Sequence, residues 1–253
     1  MGEQEKEVYR ERYKRHWMLP EVGEEGQKKL EQGRVLVVGA GGLGSPAALY
    51  LAAAGVGTIG LADFDRVDVS NLQRQILYRE QDVGRKKAEA AADCLRRRNS
   101  GVKVRIFPEG ITPGNAEQIL SEFDVVVDAT DRFPIRYLLS DVCRKLGKPE
   151  VYGAICQFAG QVTVFAPGGP CLRCLCPENP DPAAEPDGRS FGVLGAVPGV
   201  IGSLQAVEAL KLLLGIGETL HGRMLLLDLL AMQAEEVEIP VNPRCHCQQP
   251  DRG

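Results

Sequence analysis

No stretch of 18 apolar residues occurs in the 253-residue chain, so the sequence predicts no membrane-spanning helix and no membrane partner. The opening segment MGEQEKEVYRERYKRHW is charged throughout and lacks the apolar core of a secretory leader, which leads to the expectation of a cytoplasmic protein. Basic runs are scarce as well. None exceeds three residues, as in Arg96, Arg97 and Arg98, and 30 Lys+Arg against 34 Asp+Glu leave a net charge of -4, so nucleic acid is not an expected partner. Internal repeats and low-complexity linkers are also missing, and only 6% of residues are aromatic. What is there is the composition of an ordinary globular protein, 44% hydrophobic and 25% charged. At this length folding buries roughly 70–75% of the accessible surface, so the core needs no disulfide framework. Eight cysteines without a secretion signal therefore point to reduced thiols and a metal rather than to disulfides.

The pattern of apolar residues supplies the architecture. Pro20–Gln32 reads as a helix after a polar N-terminal arm, and Arg34–Gly39 is a β-branched run of the kind buried in parallel sheets. A helix is expected over Ser45–Ala54, stopped by Gly55, and a strand over Thr58–Asp63. Further helix patterns lie at Gly84–Arg98 and Ile135–Leu146, with strands at Val102–Phe107, Asp124–Asp128 and Glu150–Gly153. Strands alternating with helices predict a doubly wound, Rossmann-like α/β fold with a mostly parallel sheet. From Gly160 the pattern changes to a strand, Gln161–Pro167, and an aperiodic loop, Gly168–Gly192. A helix capped by Ser203 and ended by Gly215 follows, and Arg223–Asp228 and Ala234–Pro240 close the chain as a C-terminal antiparallel extension. A single domain over residues 1–253 is expected, divided into an arm and helix (1–33), a nucleotide-binding half (34–155) and a second half (156–253).

Gly39-Ala40-Gly41-Gly42-Leu43-Gly44 fits G-x-G-x-x-G between a strand and a helix. Glycines at Gly39, Gly41, Gly42 and Gly44 let backbone N–H groups and the positive end of a helix dipole approach phosphate oxygens. Asp63, 24 residues after Gly39, can accept ribose hydroxyls. Alone, this motif indicates an adenine nucleotide and favours a dinucleotide enzyme over ATP, with a plain packing turn as the structural alternative. The next segment, Asp63–Gln75, instead gathers Asn71, Gln73, Arg74 and Gln75, followed by Arg85, Lys86 and Lys87. Cations there suit a triphosphate: Arg74 can fork onto phosphate oxygens and Lys87 can act as a point charge, unless both merely belong to a solvated face. Asp131 follows a buried strand at the carboxyl edge, where it could hold Mg²⁺ with phosphate oxygens and water or simply cap the next helix.

Cys171-x-x-Cys174 and Cys245-His246-Cys247 make a fourth constellation, able to bring four soft ligands around one tetrahedral Zn²⁺. The spacing leaves open whether His246 replaces one thiol, and whether a redox CxxC or unconnected thiols account for the pattern. Cys176 is a spare thiol, while Cys94, Cys143 and Cys156 sit in apolar patterns that predict small core residues.

At this point the sequence resembles the MoeB/ThiF/HesA family, relatives of ubiquitin-activating enzymes, from Arg12 to Cys247. The strings RYKRH, GAGGLGSP, DFDRVDVSNLQRQ, GRKKAEAA, VVDATDRF, GQVTVF, PCLRCL, GVLG and GSLQAVEALK carry it. The resemblance implies a nucleotidyltransferase that uses ATP and Mg²⁺ to adenylate the C-terminal glycine of a ubiquitin-like sulfur carrier ending in Gly-Gly. It implies ATP-site roles for Gly42, Asp63, Asn71, Arg74 and Lys87, a magnesium role for Asp131, and an Arg15 that reaches across a symmetric homodimer to the phosphates. It also implies a structural Zn²⁺ on Cys171, Cys174, Cys245 and Cys247, and docking of the carrier on the second half. Arg132 stands where the family usually has Asn, and Gly188 where many relatives carry a crossover-loop cysteine. No rhodanese segment follows Cys247, so sulfur is expected from a separate donor such as a cysteine desulfurase or a rhodanese. Adenylation of a peptide or other carboxylate, an NAD(P)-dependent oxidoreductase and a zinc-bearing scaffold are the alternatives. The carrier's pathway, whether molybdopterin, thiamine, cysteine or tRNA thiolation, is not legible from these residues.

Overall fold

Val35 and Val37 belong to one buried cluster and Leu36 and Val38 to another, so a single run of branched residues presents a hydrophobic surface on both sides. Such a run is stable only in a sheet covered on both faces. The computed structural model, which describes residues 3–177, 192–245 and 247, builds that sheet. In chain order the elements are α1 (Glu3–Trp17), α2 (Gly23–Gln32), β1 (Arg34–Val38), α3 (Gly44–Ala54), β2 (Thr58–Ala62), α4 (Lys87–Arg98), β3 (Lys103–Phe107), α5 (Ala116–Ser121) and β4 (Val125–Asp128). They continue with α6 (Phe133–Lys145), β5 (Glu150–Cys156), β6 (Ala159–Phe165), α7 (Leu172–Leu175), α8 (Ala196–Leu214), β7 (Arg223–Asp228) and β8 (Gln233–Glu238).

The eight strands form one sheet in the order β3-β2-β1-β4-β5-β6-β7-β8. Pairing is parallel from β3 to β5, with Val38 beside Ala62 on one side and Asp128 on the other. It is antiparallel from β5 to β8. On one face Val35, Val37, Leu51, Ile59, Leu95 and Ile201 join α3, α4 and α8 to the sheet. On the other, Leu36, Val38, Leu120, Phe123 and Leu139 pack α5 and α6. Parallel order reverses between β1 and β4, which makes the carboxyl ends of these two strands the crevice where such sheets hold ligands.

Several elements differ from the sequence expectation, α5 among them, since no helix is expected between Phe107 and Asp124. The polar arm is a helix, α1, whose Tyr9, Tyr13 and Trp17 recur at four-residue spacing, with Tyr9 edge-on to Tyr13 and tilted against Trp17. Tyr13 is buried, and its hydroxyl accepts the Asn99 side-chain N–H at 2.7 Å while Asn99 also donates to the Ala52 carbonyl, fixing α1 to the ends of α3 and α4. Gly84 has φ +86, a left-handed turn that delays α4 until Lys87. The described part of the 168–192 loop includes the short α7. Ser203 is not a cap: α8 starts seven residues before it, and its hydroxyl donates to the Gly199 carbonyl within the helix. Gly215 does end α8, in the left-handed conformation. This 19-residue helix is apolar enough to cross a membrane by length and composition, but half of it is buried, and Gln205 donates to the carbonyls of Asp128 and Val151.

Two carboxylates lie fully buried at the adjoining strands β4 and β5, Asp128 and Glu150. Burial pushes both above the ordinary carboxylate range; the charge of Asp128 adds to the shift at Glu150, and the Arg136 guanidinium opposes it at both. An acid raised in the native state binds its proton more tightly there than in the unfolded chain, so native stability is lost as pH climbs through the raised value. Replacing Glu150 removes that contribution. Unfolding free energies from urea titrations should therefore fall less between about pH 5 and about pH 8 in Glu150→Gln than in the unsubstituted protein. Parallel declines in the two proteins would mean that Glu150 titrates alike in both states.

Candidate active site

The strand-to-helix turn after β1 needs glycine for two separate reasons. Gly39 has φ +90, and a Cβ there would come 2.6 Å from the Ala129 carbonyl oxygen. A Cβ on Gly44 would overlap the Gly39 carbonyl. The turn is thus pressed against the segment after β4, and α3 starts at Gly44 with no side-chain cap at Leu43 and no acidic residue in its first turn. Its N-terminus remains electrostatically suited to an anion. Gly42 faces Pro198 of α8 and the Arg74 side chain, whose Cδ would be 3.7 Å from a Cβ at that position, and Gly41 similarly faces Gln75.

Asp63, at the end of β2, accepts the Ala40 N–H and the Asp65 N–H, each at 2.8 Å, one on each oxygen. Burial raises its carboxyl above the usual value, while Lys87 opposes the shift. The Lys87 ammonium is itself buried, 3.1 Å from Asp65, and its backbone N–H donates to the Asp65 carbonyl. Lys87 therefore forms the floor of the 63–65 turn. Tyr78, which sequence reasoning passed over, donates its buried hydroxyl to the Ala40 carbonyl at 2.7 Å. A lone tyrosine offers no periodic signal that could mark this contact. Asn71 accepts the Asp68 N–H while Asp68 accepts that of Ser70, so the Asn71 amide oxygen closes a local turn. Half-buried Arg74 donates to the Ser70 carbonyl from the same turn.

Asp131 is exposed just beyond β4. The helix-capping alternative is not realised by it: the residue at the N-cap of α6 is Arg132. The Arg132 guanidinium lies 4.7 Å from the centre of the Phe64 ring, so the loops after β2 and β4 touch across the end of β1. The carboxyl edge thereby gathers Gly39, Gly41, Gly42 and Gly44 with Asp63, Asn71, Arg74, Lys87 and Asp131. Arg15 is not among them. It is exposed on α1, and α1 is fixed to the C-terminal ends of α3 and α4, at the opposite edge of the sheet.

Sγ atoms of Cys171, Cys174, Cys245 and Cys247 all lie within 4.8 Å of one another, with separations of 3.3, 3.6 and 3.9 Å among them. Tetrahedral sulfur ligands at zinc-like bond lengths stand roughly 3.8 Å apart, so the four thiols fit one soft metal ion. His246 and Gly188 lie outside the described residues. Helix α6 carries the cluster: Arg144 donates to the Cys247 carbonyl, Ser140 accepts the Leu172 N–H, and Arg173 forms a two-pronged pair with Asp141. Cys176 stands apart, its carbonyl accepting the Tyr137 hydroxyl. Cys143 is a core residue, as expected, whereas Cys94 is only half-buried against the core, and Cys156 is exposed because β5 runs past the end of β4 into the hairpin to β6. Beside that hairpin an open groove of about 710 Å³ is lined by Ala154, Ala159, Gly160, Leu226, Leu227 and Ala234 among others.

The model of the ThiF family matches residues 13–248. A sulfur carrier protein adenylyltransferase of Thermus thermophilus is 51% identical over 241 residues, covering 93% of this chain and 89% of its own length. A SAMP-activating enzyme E1 of Haloferax volcanii is 51% identical over 235 residues, with 93% and 87% covered. The crystal structure of Escherichia coli MccB with MccA has a TM-score of 0.82 at 23% identity, covering 94% of this chain and 74% of that one, a likeness of fold. With the family model spanning nearly the whole sequence and two relatives half identical along it, this chain belongs to the ThiF family.

Proposed function

We propose that this chain is an ATP-dependent adenylyltransferase that activates the C-terminal glycine of a ubiquitin-like sulfur carrier as an acyl-adenylate. The observation that carries the reading is the meeting of the glycine turn, Arg74, Lys87 and Asp131 at one sheet edge, in a chain 51% identical to a named sulfur carrier protein adenylyltransferase. The dinucleotide reading that the glycine motif alone favours gains no support from the named relatives.

The carrier's terminal carboxylate would attack the α-phosphorus and expel pyrophosphate, two anionic groups meeting at one centre. Backbone N–H groups of Gly41, Gly42 and the first turn of α3 would receive the phosphates, and Asp63 the ribose. Arg74 and Lys87 would offset the charge that gathers on the leaving pyrophosphate, and fixed alignment would supply much of the remaining acceleration. Asp131 offers one exposed hard carboxylate beside the phosphate turn, a sufficient protein ligand for Mg²⁺. When bound, Mg²⁺ would neutralise phosphate charge. Arg15, which its own chain holds at the far edge, would be delivered by a second copy in a symmetric homodimer.

Residues 34–155 would form the nucleotide half and residues 156–253 the half that docks the carrier, whose slender Gly-Gly end suits the stretch of the groove at Ala154, Ala159 and Gly160. A separate sulfur donor would then displace AMP, in the cytoplasm. Cys171, Cys174, Cys245 and Cys247 would hold a structural Zn²⁺, whose chemistry is to cross-link two distant segments.

Pyrophosphate–ATP exchange with a panel of carriers ending in Gly-Gly tests the reading. Exchange should require one such carrier, vanish when its last glycine is deleted, and fall at least about 100-fold in Asp131→Ala. ATP binding without exchange by any carrier would favour a peptide substrate. The dimer has its own test. Arg15→Ala and Asp131→Ala proteins should each be inactive, yet subunit exchange between equal amounts should restore about a quarter of the activity, since one site in each mixed dimer is intact. No recovery despite proven subunit exchange would refute delivery in trans. Bound zinc should be about one ion per chain and fall in Cys171→Ser, Cys174→Ser, Cys245→Ser and Cys247→Ser; undiminished zinc in the last two would refute the four-thiol site.

A further inference from the structure

Between the buried strand end at Asp128 and exposed Asp131 lie three peptide groups, and the last two are gripped from below. Asp128 accepts the Thr130 N–H at 2.9 Å, which fixes the Ala129–Thr130 peptide. Arg136 donates to the Thr130 carbonyl through two nitrogens, at 2.6 and 3.2 Å, which fixes the Thr130–Asp131 peptide. The guanidinium is in turn immobile: it donates to the Tyr152 hydroxyl at 2.8 Å, lies over the Tyr152 and Phe133 rings, and is buried. Asp128 is equally fixed, its own carbonyl accepting the Gln205 side-chain N–H at 2.6 Å. On the opposite side the turn meets Gly39 of the phosphate turn.

We infer that Arg136 and Asp128 are positioning residues for Asp131, holding two successive peptide planes so that its carboxylate stays aligned with the glycine turn when it takes up magnesium with ATP. Neither residue reaches the reacting atoms. Their effect passes through the backbone, and a buried, forked guanidinium does this better than an ammonium because it meets one carbonyl with two parallel N–H groups. The inference rests on the adenylyltransferase reading in assigning magnesium to Asp131, and deepens it by naming what orients that ligand.

The test is calorimetric titration of ATP into the full-length protein without carrier, at a series of Mg²⁺ concentrations and in its absence. Arg136→Lys and Asp128→Ala should raise the Mg²⁺ concentration needed for half-maximal enhancement of ATP binding about tenfold, the usual scale for losing an outer support of a metal ligand. ATP affinity without metal should not change. Asp128→Asn keeps an oxygen for the Thr130 N–H and should recover most of the loss seen in Asp128→Ala. Should Arg136→Lys not fold, as judged by circular dichroism, Tyr152→Phe carries the test, because it removes one partner of Arg136 and keeps the ring; a shift of about two- to threefold is expected there. Folded variants with unshifted Mg²⁺ dependence, or with an equal loss of metal-free ATP binding, would overturn the inference. Asp131→Ala separates the two levels. If it abolishes the Mg²⁺ effect while the other variants leave it alone, only the positioning claim fails; if it too leaves the effect intact, the magnesium assignment fails and takes the positioning claim with it.

Discussion

The approach of one backbone to another at Gly39 governs the rest of the carboxyl edge. β1 and β4 are neighbours in parallel register, and both chains turn upward at the same level, after Val38 and after Asp128. Two turns cannot share that space if either carries a side chain pointing at the other. Gly39 removes the obstruction, and its left-handed φ sends the chain at once into α3. As a result the helix N-terminus, the Asp63 carboxylate and the exposed Asp131 become neighbours without any of them having to reach.

The charges are arranged by the same economy of reach. Lys87 is the first residue of α4 and meets the turn after β2 from beneath, with its ammonium fixed by Asp65. Arg74 approaches from a separate short turn closed by Asn71 and Asp68. Cations set on different supports around a concave edge can face one polyanion without collapsing onto a single carboxylate. Buried Asp63 has both oxygens engaged by backbone N–H groups, which orients a carboxylate that burial alone would disfavour.

Much of this was legible in the sequence, because the features that build it are local or periodic. Val35–Val38 and Val125–Val127 announce buried strands, Gly39 and Gly44 announce a turn between strand and helix, and Cys171 and Cys174 announce half of the four-thiol cluster. What escaped depends on partners far along the chain. The α1 stripe of Tyr9, Tyr13 and Trp17 is helical in spacing, but polar neighbours dilute it and its partner Asn99 is distant. Ser203 looks like a helix cap, yet α8 is long because residues 196–202 gain burial against the sheet and α3, and packing outranks capping propensity. Cys156 sits in an apolar pattern that continues into a hairpin beyond the end of β4, where the same alternation no longer means burial. Arg132 departs from the usual residue of the family, and only the folded chain reveals its ring partner, Phe64.

Helix α6 gives the four-cysteine cluster a meaning that its chemistry does not. Phe133 opens the helix next to the Asp131 turn, and Ser140, Asp141 and Arg144 further along it hold the peptide groups and side chains on which the thiols are mounted. Ser140 lies seven residues after Phe133, about 10 Å of helix rise, so the cluster and the Asp131 turn are mounted at separate points along one rod. A lesion at the thiols would let the far end of the rod drift and would be felt at the near end. Oxidation of the thiols would then imitate damage at the Asp131 turn, and a thiol-reactive reagent could act on this protein from a distance.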